Sequence, residues 1–372
     1  MLCSIALSLL KGLTQKHMRE IYDVYASAEE AFADLGRQYP PLSQALASGK
    51  NAAMEQAKHE LDFCERHAIR ILPLNDPDFP FLLRNCPDTP TLLYQKGNAN
   101  LNRQHIVSVV GTRHVTEYGR LMCSEFCAEL KRLVPDVLIV SGLAYGVDIV
   151  AHRAAVDCGA DTIGVLAHGL DRIYPSMHRD TARQMIERGG ALLTEYPTGT
   201  NPDKGNFVRR NRIVAGMAHA TVVVESAKKG GALITAGLAL DYNREVAAFP
   251  GRATDEYSIG CNDLIRNSGA ALITSAEDFT KLMEWDTEQP KAVIRPSLFP
   301  ELSVEEQAVC DLLGNGEAHG IAEMCAALNT PLYKLSATLF GLEMKNIINR
   351  IPGFTKGWNL SSEGWLSTMA VS

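Results

Sequence analysis

Between Ile106 and Thr274 the chain repeats one pattern, a short and continuous apolar run followed by a helical stretch. The apolar runs are Ile106–Val110, Val137–Val140, Thr162–Ala167, Ala191–Glu195, Ala220–Val224, Val246–Phe249 and Ala271–Thr274. Short apolar strands separated by helices predict an α/β fold whose mostly parallel sheet is covered on both faces. In such sheets a ligand sits beyond the carboxyl ends of the strands, so the turns that follow the strands are where function is sought.

Those turns share a chemistry. The first strand leads into Gly111-Thr112-Arg113, the second into Ser141-Gly142-Leu143-Ala144-Tyr145-Gly146, and the third into His168-Gly169-Leu170-Asp171-Arg172. The fourth leads through a polar loop to Lys204 and an arginine-rich helix start, the fifth to Ser226–Gly231, and the sixth to Pro250-Gly251-Arg252. Glycines followed by a helix present backbone amides to phosphate. Yet the chain as a whole carries a formal net charge of −7. A cationic rim on an acidic body suits a local polyanion site and excludes a generally basic nucleic-acid binder.

Other classes fall away by their missing motifs. The first turn lacks G-x-G-x-x-G, which argues against a dinucleotide cofactor, and no GK[ST] occurs for a nucleotide triphosphate loop. The ten histidines form no ligand-spaced cluster, so no metal or other cofactor is expected. Nine cysteines are dispersed without a CxxC pair; Cys123 and Cys127 read as buried thiols, and the set suits a reducing cytoplasm. The apolar start MLCSIALSLLKGL reads as a packed helix rather than a leader, and no run is long enough to span a membrane.

The flanks differ from the repeat. Residues 1–70 read as short helices, with a helix–Gly–helix junction at Leu10–Leu13 and a capped start at Ser27, a small module loosely like a helix-hairpin-helix or SAM unit. Residues 71–100, rich in Pro, Asp and Asn, read as an extended strap into the sheet. Together 71–285 form the expected core and 286–302 a proline-bearing linker. In 303–372, helical periodicity at 303–313, 320–328 and 331–344 precedes a hairpin at Asn346–Asn359, the order of a winged helix. Leu335, Leu339 and Leu342 fall on one side of its last helix. That helix carries too little positive charge for a DNA reader, which favours a structural or protein-contacting role.

Within the core, Arg113 reads as an anion contact. Gly142 and Gly146 read equally as tight packing or as close backbone approach to a ligand. Asp148 and His152 read as a hydrogen-bonded pair that braces the loop. Arg209 and Arg212 share a helix face while Arg210 and Asn211 lie on another, so at least one arginine is expected to pair with an acid from the sheet edge. Phe207 is either core or an exposed platform for a stacked base, with Lys204 then holding the adjoining phosphate. Lys228 and Lys229 are either a solvated turn or further contacts.

Assembled in order, these motifs resemble the DNA-processing protein A (DprA/Smf) family of natural transformation. The resemblance rests on VGTR at 110–113, SGLAYGVD at 141–148, GLDRIYP at 169–175, KGNFVRRNRIVAGMA at 204–218, VVVESAKKGGALITAG at 222–237, FPGR at 249–252 and GCNDLI at 260–265. It spans about 70–285, with flanks in keeping. It implies an extended Rossmann-like core that binds single-stranded DNA without a nucleotide cofactor, forms a homodimer, protects incoming DNA and loads RecA onto it. The DNA contacts implied are Arg113, Lys204, Phe207, Arg210 and Arg212, with amides from Gly142, Gly146, Gly230 and Gly231. Two positions depart from the family pattern: Val208 stands for a proline, and Gly230-Gly231-Ala232 for an SGS-type turn. The rival reading is a nucleoside-monophosphate phosphoribohydrolase with Glu225 as its carboxylate and Arg113 as its phosphate clamp; the GGxGTxxE-like motif of those enzymes is missing.

Overall fold

The structure, a computed structural model, describes residues 1–285, 302–314, 319–345, 347–350 and 357–360. The chain divides into two compact units, Met1–Glu288 and Gln289–Ser372.

The first unit begins with helices α1 (Leu2–Leu9), α2 (Gln15–Val24), α3 (Ala28–Ala33) and α4 (Pro40–Arg66). Thr14 caps α2 by accepting the His17 N–H, and Ser27 caps α3 by accepting that of Glu30. The expectation of short helices holds for three of these and fails for α4, which runs 27 residues. Its interior Gly49 does not break it, because Leu42, Ala45, Leu46, Ala53 and Ala57 bury one face among the helices before it.

The proline-rich stretch is a second difference. It contains β1 (Ile69–Pro73), α5 (Phe81–Arg84) and β2 (Leu92–Gly97), and both strands join the sheet rather than strapping it. The β1 strand pairs antiparallel with β2, and β2 pairs antiparallel with a strand of the parallel region. An outermost strand has one side without a ladder, which is where Pro73 is tolerated.

The alternation then follows as expected: β3 (Ile106–Val110), α6 (Glu117–Leu133), β4 (Leu138–Ser141), α7 (Val147–Cys158), β5 (Asp161–Val165), α8 (Arg179–Glu187), β6 (Ala191–Thr194) and α9 (Lys204–Gly216). It continues through β7 (Ala220–Val223), α10 (Gly231–Asp241), β8 (Glu245–Ala248), α11 (Ile259–Arg266), β9 (Ala271–Leu272) and α12 (Ala276–Leu282). Among the described residues the sheet has nine strands in the order β1-β2-β6-β5-β4-β3-β7-β8-β9, parallel from β6 to β9. This is the extended, mostly parallel Rossmann-like sheet with flanking helices.

Both faces are buried, which is why its strands read as unbroken apolar runs. Along β3, Ile106 and Val110 pack on one side with Ile213 and Val214 of α9 and Ala236 of α10. Val107 and Val109 pack on the other with Cys123, Phe126 and Cys127 of α6 and Ala151 of α7. Strand β3 has β4 on one side and β7 on the other, so the connections leaving β3 and β7 run in opposite directions across the sheet. A crevice opens beyond the carboxyl end of β3 at this reversal.

The N-terminal helices share a core with the sheet. Ile5, Ile21 and Leu42 are buried in one cluster with Tyr94 of β2, Leu192 of β6 and Met185 of α8. At the far end of α4, buried Glu60 accepts from the Thr198 N–H at 3.0 Å and from its hydroxyl at 2.6 Å, fastening the helix to the loop that precedes α9.

In the second unit the described residues form α13 (Val304–Leu313), β10 (His319–Gly320), α14 (Ile321–Ala327), α15 (Leu332–Met344), β11 (Ile348–Arg350) and β12 (Gly357–Leu360). The strands pair antiparallel in the order β10-β12-β11. Leu335, Leu339 and Leu342 of α15 face inward on Val309, Leu313 and Met324, as their spacing predicts. The expected linker, 286–302, lies outside the described residues except for Leu302.

Candidate nucleic-acid interface

The crevice at the carboxyl end of β3 is a cavity of about 770 Å³. The turns after β3, β4 and β5 wall it together with the first turns of α9, the turn between β7 and α10, and the loop after β8. Arg113, Gly142, Lys204, Phe207, Arg210, Gly230 and Gly231 all line it. Gly146 and Arg212, also expected as contacts, do not.

The solvent-facing members form a small array. Lys204 opens α9 and is exposed; Phe207 follows one turn later and is half-buried. The exposed Arg113 lays its guanidinium over the Phe207 ring, 5.2 Å from the centroid. Tyr174, itself 44% exposed, also stands 5.8 Å from that ring at an interplanar angle of 51°. Phe207 is thus neither core nor a lone exposed ring, since an arginine and a tyrosine hold it. Asn211, one turn further along α9, reaches the Gly231 carbonyl at 3.5 Å and ties this helix to the turn before α10. Lys229 lines the same wall, whereas Lys228 does not.

The two inner arginines of α9 are placed differently from the exposed contacts the resemblance implied. Arg210 is 4% exposed, and its Nη1 donates to the carbonyls of Gly142, at 2.5 Å, and Val165. A Cβ on residue 142 would stand 2.4 Å from that guanidinium, so the glycine there makes room for the arginine. Arg212 is 8% exposed and forms an ion pair with Glu195. This is the pairing with an acid from the sheet edge that the residue spacing predicted. Burial pushes the Glu195 carboxyl above its usual range and Arg212 opposes the shift. Arg210 forms part of the crevice floor and Arg212 lies outside the crevice; both hold the fold.

Asp148 braces the loop without His152, which corrects the expected hydrogen-bonded pair. Asp148 Oδ2 accepts from the N–H groups of Gly142 at 3.1 Å and Ala144 at 3.3 Å. Burial raises its carboxyl and the nearby Arg210 charge pulls it down. His152 is turned away toward Thr162, whose Oγ1 lies 2.7 Å from its Nδ1. Thr162 spends its own proton on the Ile139 carbonyl, so Nδ1 is the protonated nitrogen. Burial holds this imidazole down to about 3. Gly146 has φ of +78°, and a Cβ there would come 2.1 Å from the Thr112 carbonyl oxygen. That same oxygen accepts the Val147 N–H at 3.1 Å, so the glycine permits the turn after β3 to dock on the start of α7.

Glu225, the carboxylate of the enzymatic rival, is 3% exposed and does not line the crevice. It accepts from the Thr116 N–H at 2.9 Å and hydroxyl at 2.6 Å, closing the first turn of α6. Tyr174, which the sequence places in the turn after the third strand without naming it a contact, lines the crevice, and so do two residues that escaped the reading of the sequence, Glu256 and Tyr257. The last two lie in the loop after β8, and the carboxyl-end rule applied to residues beyond Arg252 would have found them.

The DNA recombination-mediator protein A family matches residues 70–284. A DNA processing protein DprA of Mycobacterium tuberculosis is 37% identical over 249 residues, and the chain spans about 63% of the length of that relative. Among solved structures, DprA of Streptococcus pneumoniae superposes with a TM-score of 0.64 at 30% identity, covering 77% of this chain and 98% of the other. DNA processing protein A of Helicobacter pylori, described for its single-stranded-DNA binding mode, gives 0.53 at 28% identity, covering 59% and 97%.

Proposed function

The chain belongs to the DNA recombination-mediator protein A family, and on that footing we propose that it binds single-stranded DNA in the β3 crevice. One observation carries the reading. A chain of net charge −7 gathers Arg113, Lys204 and Lys229 into one cavity around a Phe207–Tyr174 pair. Exposed cations beside half-exposed rings suit a flexible strand with unpaired bases, where charge follows the backbone and the rings take base faces. A duplex keeps its base faces stacked inside and offers such rings nothing.

The protein acts by binding, with no catalytic step and no cofactor. It works in the cytoplasm as a homodimer through the Rossmann-like core, shields incoming strands during natural transformation and passes them to RecA. Family membership supports these finer points, and residues 303–372 act in them as a winged helix with a structural or protein-contacting role. Among the described residues no helix is long and apolar enough to cross a membrane. The test is fluorescence anisotropy with single- and double-stranded oligonucleotides of one sequence. Preference for the single strand, weakened by R113A and by K204A with a shallower salt dependence, is the expected result. Equal affinity for duplex, or an unchanged salt slope in both variants, refutes it.

A further inference from the structure

Beside the crevice, on the far side of Arg113, lies a second hollow of about 460 Å³ between the starts of α6 and α7 and the 177–178 segment. Its polar lining is Arg113, Arg120, Arg153, His114 and His178, with Tyr145 at its mouth. Among the described residues no carboxylate lines it. Neither Arg113 nor Arg120 makes an ion pair there, and Arg153 makes only a 3.3 Å hydrogen bond to the Thr181 hydroxyl. Asp157 stands further along, where Arg120 and Arg153 border a separate depression of about 510 Å³. Three guanidiniums without an acidic partner, gathered around one concavity that no carboxylate lines, concentrate positive charge on a chain of net charge −7. Arg113 and His114 border both cavities, so the two adjoin at the turn after β3.

We infer that this hollow is a second phosphate subsite, on which the strand leaving the β3 crevice continues over Arg113 to Arg120 and Arg153. The inference rests on the proposed binding of single-stranded DNA and extends it to a longer track. Guanidiniums suit this task because they grip phosphate oxygens through paired N–H groups. Tyr145, 42% exposed and in edge contact with His178 at 5.3 Å, offers a ring where the strand enters the hollow. Burial holds His178 below the usual histidine range, so the arginines supply the charge at neutral pH.

The experiment measures binding of thymidine oligonucleotides of about 6 and about 16 nucleotides, a range typical of single-strand site sizes, to the full chain and to R120Q/R153Q. Both arginines are exposed, so the variant keeps the core, and matching melting midpoints verify it. The short oligonucleotide should bind both proteins within about twofold. The long one should bind the variant about 5- to 30-fold more weakly, with a salt slope shallower by about 1.4, or 0.7 for each phosphate released. R120K/R153K, which keeps the charge, should retain most of the length dependence. Equal length dependence in wild type and R120Q/R153Q overturns the subsite. So does equal weakening on both lengths, which would place the arginines' effect in the crevice, and so does a gain with length confined to duplex. Wild-type protein that binds neither oligonucleotide overturns the single-strand reading itself.

Discussion

Replacing Arg210 by methionine separates a brace from a contact. The substitution keeps the aliphatic stem but removes the group that satisfies the Gly142 and Val165 carbonyls. It also leaves Asp148, 8% exposed, with two N–H donors and no neighbouring cation. Each stranded acceptor costs about 1–3 kcal/mol, and breaking a buried ionic arrangement from one side costs about 3–5 kcal/mol in all. For a unit spanning Met1–Glu288 that is a drop in melting midpoint of about 5–8 °C. R210M/D148N should recover about 1–3 kcal/mol of it, because an asparagine carbonyl still accepts from Gly142 and Ala144 while the stranded charge is gone. Thermal and urea melts followed by circular dichroism supply the stabilities, and anisotropy titrations at several salt concentrations supply the binding. Loss of less than about 1 kcal/mol, or no recovery in the double variant, would refute the bracing role. A salt slope in R210M as shallow as that of K204A would return Arg210 to the strand.

Two further outcomes follow from the same geometry. F207A should raise Kd for single-stranded DNA about 5- to 150-fold, the loss of one stacked base, with an unchanged salt slope. K204A should flatten that slope by about 0.7, and exchanged behaviour of the two variants would sink the division between ring and cation. His152, held down to about 3, is neutral in the fold but takes a proton in the unfolded chain below its ordinary value of 6.5. The unfolded state therefore binds more protons between those values, so stability falls as pH drops from 6.5 toward 3, by up to about 1.4 kcal/mol per pH unit. Asp148, Glu60 and Glu195, raised by burial, act in the opposite sense, so the measurable quantity is the difference between wild type and H152N. Equal slopes in the two would refute the assignment.

How much was legible depended on what each signal encodes. Ile106–Val110 was bounded end to end because a strand buried on both faces writes itself as an apolar run. The β1 and β2 strands were hidden by the prolines of 71–100, which mark turns and outermost strands alike. The cavity was found because carboxyl-end turns in a parallel sheet converge wherever the strand order reverses, and the rule needs no coordinates. The two arginines were not resolved. Positions 210 and 212 lie about 200° apart on a helix, so periodicity predicts that they diverge, whereas the family resemblance implied both as DNA contacts. Here the sheet edge and the β4 turn enclose α9 on both sides, and each guanidinium meets its own acceptor. Helical spacing separates faces but does not say how many are covered.

The grip of Glu60 on Thr198 has a practical reach. The loop that launches Lys204 and Phe207 is pinned from behind by a side chain contributed near the amino end, across 138 positions of chain. A fragment trimmed at residue 70 would lose that pin, bare Tyr94 and Leu192, and slacken the basic helix in a single cut. Weak binding by such a fragment would therefore speak first of a misshapen crevice, and only afterwards of any touch between the leading helices and DNA.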